Sequence, residues 1–252
     1  MFQFGIIMVI LIGTILIGIP ISYSMGITGL IYILITNASY IAIIPNRLYE
    51  GVNQFQLLAI PFFLLAADIM INADISGKLF RFVKLFVGRF RGGLAYVNVI
   101  VSMVFGSVSG TALGDIAALG KVEMDAMDEE GYDKDFSCAL TAASSLQSPL
   151  IPPSNIAVLY ASVMGLSVGA LFLAGLLPGV MLGMAQILYI IAVRDKKNFP
   201  ACNEKYRGSQ IKSIILNGLI TLGMPFIIIG GVLGGYFTAT ESANIACVYS
   251  LL

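Results

Sequence analysis

Residues 136–193 read FSCALTAASSLQSPLIPPSNIAVLYASVMGLSVGALFLAGLLPGVMLGMAQILYIIAV, without a charged side chain. A helix needs roughly 20 apolar residues to cross a bilayer, so this run has room for two crossings and a turn. Polar residues and prolines interrupt it at Ser148-Pro149-Leu150-Ile151-Pro152-Pro153-Ser154-Asn155. The stretch therefore reads as one crossing over 136–164, interrupted at 148–155, and a second over 168–193.

Outward from this run the pattern repeats. Residues 1–46, 51–67, 92–114 and 213–240 are also free of charge. Across 252 residues, 58% are hydrophobic and only 11% charged, where a soluble domain carries about a quarter charged residues. Mean hydropathy is +0.92. The fold class that follows is all-α, a polytopic membrane protein whose first partner is the lipid bilayer.

The composition excludes several chemistries. There is no histidine, which removes Ser-His-Asp and Cys-His catalysis and the commonest metal ligand. Cys138, Cys202 and Cys247 are widely separated and form no CxxC, so they read as small apolar residues. A net charge of zero without a basic tail argues against nucleic acid. No phosphate-binding P-loop occurs, so ATP hydrolysis on this chain is not expected. No cofactor is expected and the chain does not read as an enzyme. MFQFGIIMVI at the start lacks a basic segment and reads as a first span rather than a cleaved signal.

Along the chain, spans are expected near 4–21 and 26–35, separated where Ile19-Pro20 breaks the helix. A polar loop is expected over 37–56 and a third span over 57–72. Residues 74–91, DISGKLFRFVKLFVGRFR, put Leu79, Phe82, Val83, Phe86 and Phe90 at helical spacing, with Lys78, Arg81, Lys84, Arg89 and Arg91 mostly opposite. Such a basic amphipathic helix lies in the membrane interface, with Asp74 as its N-cap. Residues 128–135 lack calcium-loop spacing and read as a solvated turn. Thr238-Ala-Thr-Glu241 fits a capping box. Two further apolar segments begin near Ile214 and Thr240.

Of the 14 basic residues, all but Arg47 lie in 78–91, 121–134 and 194–212. These segments share the cytoplasmic side only if 92–127 enters the bilayer and returns as a re-entrant hairpin, with the N-terminus outside.

Two places could carry chemistry. Residues 104–115, VFGSVSGTALGD, are crowded with small residues and end in a carboxylate. Gly106-Ser-Val-Ser-Gly110, taken alone, reads first as a GxxxG packing face; the sharper reading is a hairpin tip whose carbonyls and hydroxyls hold a small cation. The second is Ser144, Ser145, Gln147, Ser148, Ser154 and Asn155 around Pro149, Pro152 and Pro153. So many prolines cannot continue one regular helix, so carbonyls lose their intrahelical partners. A kinked structural helix is one reading. A broken helix beside a polar tip, the pattern of a secondary-transporter site, is the other. Asp115 is the better placed intramembrane carboxylate; Asp68 can snorkel at the end of its span. Asn98, Ser107, Gly110, Thr111, Asp115, Ser145, Pro149, Pro152 and Ser154 are expected to organise the tip and loop.

At these residues the chain resembles the large membrane subunit of tripartite ATP-independent periplasmic (TRAP) transporters. The matching segments are PFFLLAADIM (61–70), RGGLAYVNVIVSMVFGSVSGTALGDIAALG (91–120), GYDKDFSCALTAASS (131–145), PLIPPSNIAVLYA (149–161), GALFLAGLLPGVMLG (169–183) and FTATESANIACVY (237–249). The resemblance implies an elevator-type, sodium-coupled carrier of two inverted repeats in the bacterial inner membrane. It implies a small membrane subunit and an extracytoplasmic substrate-binding protein as partners, and an organic acid such as a C4-dicarboxylate or sialic acid as cargo. It implies a sodium site at Gly106 and Ser109 on the tip and Ser148, Ile151 and Pro153 on the loop. Two departures stand out: Ser148 replaces a frequent glycine, and Ala67-Asp68 replaces a Gly-Glu or Gly-Asn pair, so Asp68 is given no role.

The implied organisation is scaffold helices over 1–72, an interfacial arm over 73–92, half of a transport domain over 93–193, a cytoplasmic linker over 194–212 and the start of a second repeat over 213–252. Family members run longer, so the chain is expected to be a fragment or one half of a split permease. The alternative is a truncated, non-transporting membrane remnant or scaffold subunit.

Overall fold

The computed structural model describes residues 2–196, 199–200 and 208–251. Cys202 and most of the expected linker lie outside them. Among the described residues every regular element is a helix, and the chain divides into two compact units, up to Asn53 and from Gln54 on.

In the first unit, α1 (Phe2–Leu16) packs against α2 (Ile21–Thr36). Gly18, at φ +93°, turns the chain between them. The second helix starts at Ile21, earlier than expected, because Pro20 costs nothing ahead of a first turn whose N–H groups are unpaired anyway. The expected polar loop is largely helical: a 3₁₀ segment (Ala38–Ile43) runs into α3 (Ile44–Val52). The Asn37 side chain accepts from the Ser39 N–H, Pro45 sits in the first turn of α3, and Arg47 pairs with Glu50 at 3.2 Å. Only Ser24 and Thr28 are buried among this unit's described side chains.

The second unit begins with a 3₁₀ turn (Phe55–Leu58) and α4 (Ala59–Asn72), then α5 (Ile75–Val87). Asp74 occupies the N-cap position at φ +53° but makes no capping hydrogen bond. Its carboxylate meets Arg81 instead, at 3.3 Å. The buried stripe of α5 is Ser76, Leu79, Phe80 and Val83, while Phe86 and Phe90 face outward. The buried stripe is set by packing of α5 against both α6 and α11.

Next come α6 (Gly93–Ser109) and α7 (Ala112–Glu129), then α8 (Lys134–Ser145) and α9 (Asn155–Met164), separated by the non-helical 146–154. The 26-residue α10 (Val168–Val193) matches the expected bounds, and α11 (Gly208–Leu233) starts before the expected Ile214. Finally, α12 (Ala239–Leu251) opens with the anticipated capping box: the Thr238 N–H donates to Glu241 Oε2 at 2.8 Å and the Glu241 N–H to Thr238 Oγ1 at 3.3 Å.

Two cores hold this unit together. One joins α4 to α12 through small side chains, Ala59, Ala66, Ala67, Ala239, Ala243 and Ala246, which let backbones approach closely. There the Cys247 thiol donates to the Phe62 carbonyl at 2.9 Å. The other packs α5 to α8 around Leu94, Phe105, Leu119 and Met127. Among the described residues, three helices, Phe55–Asn72, Val168–Val193 and Gln210–Leu233, are long and apolar enough to cross a membrane.

The α6–α7 pair returns to the end of the unit from which it departs. At the start of α6 the Gly92 N–H donates to the Pro200 carbonyl at 3.0 Å. Beyond α7, the Tyr132 and Phe136 rings lie 5.1 and 4.8 Å from that of Phe199. Lys84 meets Glu130 at 3.3 Å in the same region. The opposite end is marked by a cavity of about 450 Å³, where Gln56, Ser167, Gly169 and Thr238 come together. The 26 residues of α10 separate the two ends by about 39 Å.

Candidate functional site

The tip between α6 and α7 is built by three adjacent residues. Ser109 ends α6, Gly110 at φ +62° turns the chain, and Thr111 caps α7 by accepting from the Gly114 N–H at 3.1 Å. The left-handed conformation at Gly110 is one that a side chain disfavours by roughly 1–2 kcal/mol.

This tip lies directly against the 148–155 stretch. A methyl group at Gly106 would sit 2.7 Å from Ser148 Cα, and one at Gly110 would sit 3.0 Å from both the Pro153 carbonyl oxygen and the Asn155 nitrogen. Across the contact, Asn155 Nδ2 donates to the Ser109 carbonyl at 3.3 Å. Gly106, Ser109, Gly110, Ser148, Pro153 and Asn155 thus form one cluster, and Gly106 is at once a packing and a tip residue. Ile151 lies behind it, with its side chain against Gly179 of α10.

Other expected residues serve the helices themselves. The Ser107 hydroxyl donates to the Val104 carbonyl and that of Ser145 to Ala142. Ser154 caps α9 by accepting from the Ala157 N–H at 3.2 Å. The Pro152–Pro153 peptide is cis and both rings are buried, while Pro149 is half-buried.

Behind the tip runs a buried polar seam. Asn98 Nδ2 donates to Glu123 Oε2 at 2.7 Å and to Thr141 Oγ1 at 2.8 Å. Ser144 Oγ donates to Asn98 Oδ1 at 2.8 Å, and Ser102 Oγ to Ser144 Oγ at 3.2 Å. Asp115, beside Ser102 and Ser148, continues the seam to the loop. Asp115 Oδ1, Glu123 Oε1, Ser148 Oγ and Asn155 Oδ1 are buried oxygens without a hydrogen-bond partner among the described residues. The cluster therefore offers hydroxyl, amide and carbonyl oxygens at the junction of two helix ends, with two carboxylates behind them.

The sequence reading missed Glu123, Ser102, Thr141 and Gln186, which receives Gln147 Nε2 at 2.6 Å and donates to the Ala143 carbonyl at 2.8 Å. It also missed a glycine ladder on α10. Gly175, Gly179 and Gly183 face Leu150, Ile151 and Gln147 in turn, each with an atom of that residue within 2.7 Å of where a Cβ would sit. Their spacing by four residues, one helix face, was the available signal.

Comparison with known proteins bears on this site. Residues 8–252 match the family model of the tripartite ATP-independent periplasmic transporter, DctM component. The chain is similar to the sialic acid TRAP transporter large permease protein SiaM of Vibrio cholerae, 36% identical over 95% of this chain and 56% of that protein. It is similar to the C4-dicarboxylate TRAP transporter large permease protein DctM of the same organism, 33% identical over 98% of this chain and 54% of that protein. It is also similar to the ectoine TRAP transporter large permease protein TeaC of Halomonas elongata, 32% identical over 96% of this chain and 57% of that protein. The chain spans about half the length of these relatives.

Proposed function

The chain belongs to the DctM component family of tripartite ATP-independent periplasmic transporters, multi-pass membrane proteins, and from that premise we propose that it is permease sequence of a sodium-coupled importer of an organic acid. Substrate arrives on an extracytoplasmic binding protein, and a small membrane subunit completes the carrier in the bacterial inner membrane. The cargo is a C4-dicarboxylate, sialic acid or a similar acid. In this reading 1–72 is scaffold, 73–92 the interfacial arm, 93–193 half of an elevator-type transport domain, 194–212 a cytoplasmic linker and 213–252 the opening of the second repeat.

The observation that carries the reading is the meeting of the Gly106–Gly110 tip with the 148–155 stretch. Gly110 lies against the Pro153 carbonyl, and Asn155 reaches the Ser109 carbonyl. Irregular backbone at membrane depth is tolerated where it lines a site, and unwound carbonyls are what transporters use for sodium. Neutral oxygens from Gly106, Ser109, Ser148, Ile151 and Pro153 suit a monovalent ion, whereas calcium and magnesium sites use carboxylates. The α6–α7 pair is the re-entrant hairpin and α8–α9 the broken helix. The return of 92 and 132 to the same end, beside Phe199 and Pro200, supports that assignment.

The test is uptake by the complete permease with its binding protein and small subunit. Replacing Ser109 by Ala raises the sodium concentration for half-maximal uptake about tenfold, the scale of one lost contact to a charged species. Unchanged sodium dependence overturns the assignment of the ion site.

A further inference from the structure

The geometry points to a binding site for an acidic phospholipid headgroup between α5 and α11. A cavity of about 360 Å³ is lined by Lys78 and Arg81 of α5 and by Gln210, Ser213, Ile214 and Asn217 of α11. One turn further along both helices, Phe82 sits on Gly218, where any larger residue would collide with the ring. That contact brings the helices together and leaves the preceding turns to frame the cavity.

Its chemistry is that of a phosphodiester receptor. Two cations, a hydroxyl and two amides face the space, and a guanidinium matches phosphate oxygens in a bidentate fashion. Among the described residues, the acid beside it is Asp74, whose Oδ2 lies 3.3 Å from Arg81 with both side chains more than half exposed. So exposed a pair contributes little, and a phosphate can take the guanidinium from it. Lys78 Nζ rests on the Ala73 carbonyl at 3.1 Å, a neutral acceptor.

The surroundings select a lipid over a free anion. The uncharged part of α11 begins at Ser213, directly after Lys212, so a cavity at Gln210–Asn217 lies where the apolar run starts, the level of headgroups. Beyond it the same helix exposes Leu216, Leu219 and Ile220, and α5 exposes Phe86, surfaces for acyl chains. Basic pockets between membrane helices take acidic headgroups in this way. The inference requires only that the chain is a membrane protein and is independent of the transport reading.

The experiment titrates delipidated, full-length permease with phosphatidylglycerol and reads bound lipid by native mass spectrometry. The double variant Lys78→Gln/Arg81→Gln weakens binding roughly 25-fold, about fivefold for each charge removed near the membrane surface. Asn217→Leu, which fills the cavity without changing charge, also weakens it. Arg89→Gln, exposed on the same arm outside the cavity, leaves it unchanged. Wild-type melting temperatures qualify each variant, and Asn217→Leu carries the test if the double variant does not fold. Equal binding of phosphatidylcholine, wild-type affinity in the qualified variants, or inorganic phosphate occupying the site that phosphatidylglycerol then fails to enter would each overturn the proposal.

Discussion

The Glu123 side chain is fully buried, accepts from Asn98 at 2.7 Å through one oxygen, and has no partner for the other among the described residues. A side-chain hydrogen bond between membrane helices contributes about 0.6 kcal/mol on average, but leaving a buried donor or acceptor unpaired costs about 1–3 kcal/mol, more when it is charged. The second effect dominates here. Asn98→Leu, which strips Glu123 of its donor and leaves Thr141 and Ser144 without that neighbour, should destabilise the permease by about 3 kcal/mol in a detergent melt. Adding Glu123→Leu should recover part of the loss rather than deepen it, because the buried carboxylate left without its donor is then gone. Additive losses would show that the two side chains are not coupled. Part of this site was legible in the sequence: the clustering of glycine, serine and proline marks the tip and loop wherever the helices pack. Glu123 was not legible, because Lys121 and Asp125 beside it are exposed and the stretch reads as a solvated helix. Its burial follows from the row Asp115, Leu119, Glu123, Met127, all inward at four-residue spacing, a face that only the packing against α6 and α8 identifies.

At the scale of elements, α10 and the capping box of α12 were readable because length, hydropathy and cap chemistry are local. The 37–56 segment was not, since helix formation there depends on Asn37, Pro45 and the Arg47–Glu50 pair acting together in a polar stretch. The ladder of α10 escaped for a related reason: a glycine's purpose depends on what approaches it. The approaching atoms now separate two of the ladder's positions. An Ala methyl at Gly175 would sit 2.6 Å from the Leu150 backbone oxygen, whereas at Gly183 its neighbours are Met103 Sδ at 2.6 Å and Gln147 Oε1 at 2.7 Å, both on flexible side chains. Helix propensity favours alanine over glycine at both by about 1 kcal/mol. Overpacking against a fixed backbone costs about 1–3 kcal/mol, so Gly175→Ala should be net destabilising by up to about 2 kcal/mol, while Gly183→Ala should be near neutral. Melting temperatures of the two variants, measured side by side, check the order. Equal values would mean that the loop over 147–151 does not rest on α10 as described.

For the whole molecule, the distribution of charge and the packing of the second unit bear on one question: whether 93–129 crosses the membrane. The charge rule places 78–91, 121–134 and 194–212 on one side only if it does not. The packing contributes independently, for Gly92, Tyr132, Phe199 and Pro200 adjoin one another, while Gln56, Ser167 and Thr238 meet about one α10 length away. The sequence argues for a return through charge alone; the Tyr132–Phe199 contact was invisible in it, because the two residues are distant in the chain and neither belongs to a motif. Cysteines introduced singly at Arg89, Glu129, Asp195 and Asn53, with Cys138, Cys202 and Cys247 replaced, decide the matter in cells producing the complete permease. All four positions are exposed, so lack of labelling reports the membrane and not burial. An impermeant thiol reagent added outside should modify only the Asn53→Cys protein, and permeabilised cells should yield all four. If Arg89→Cys and Glu129→Cys label from opposite sides, α6 and α7 together form an ordinary crossing. The contact of the tip with 148–155 would then belong to an ordinary crossing, and the proposal of a sodium site there would lose its membrane enclosure.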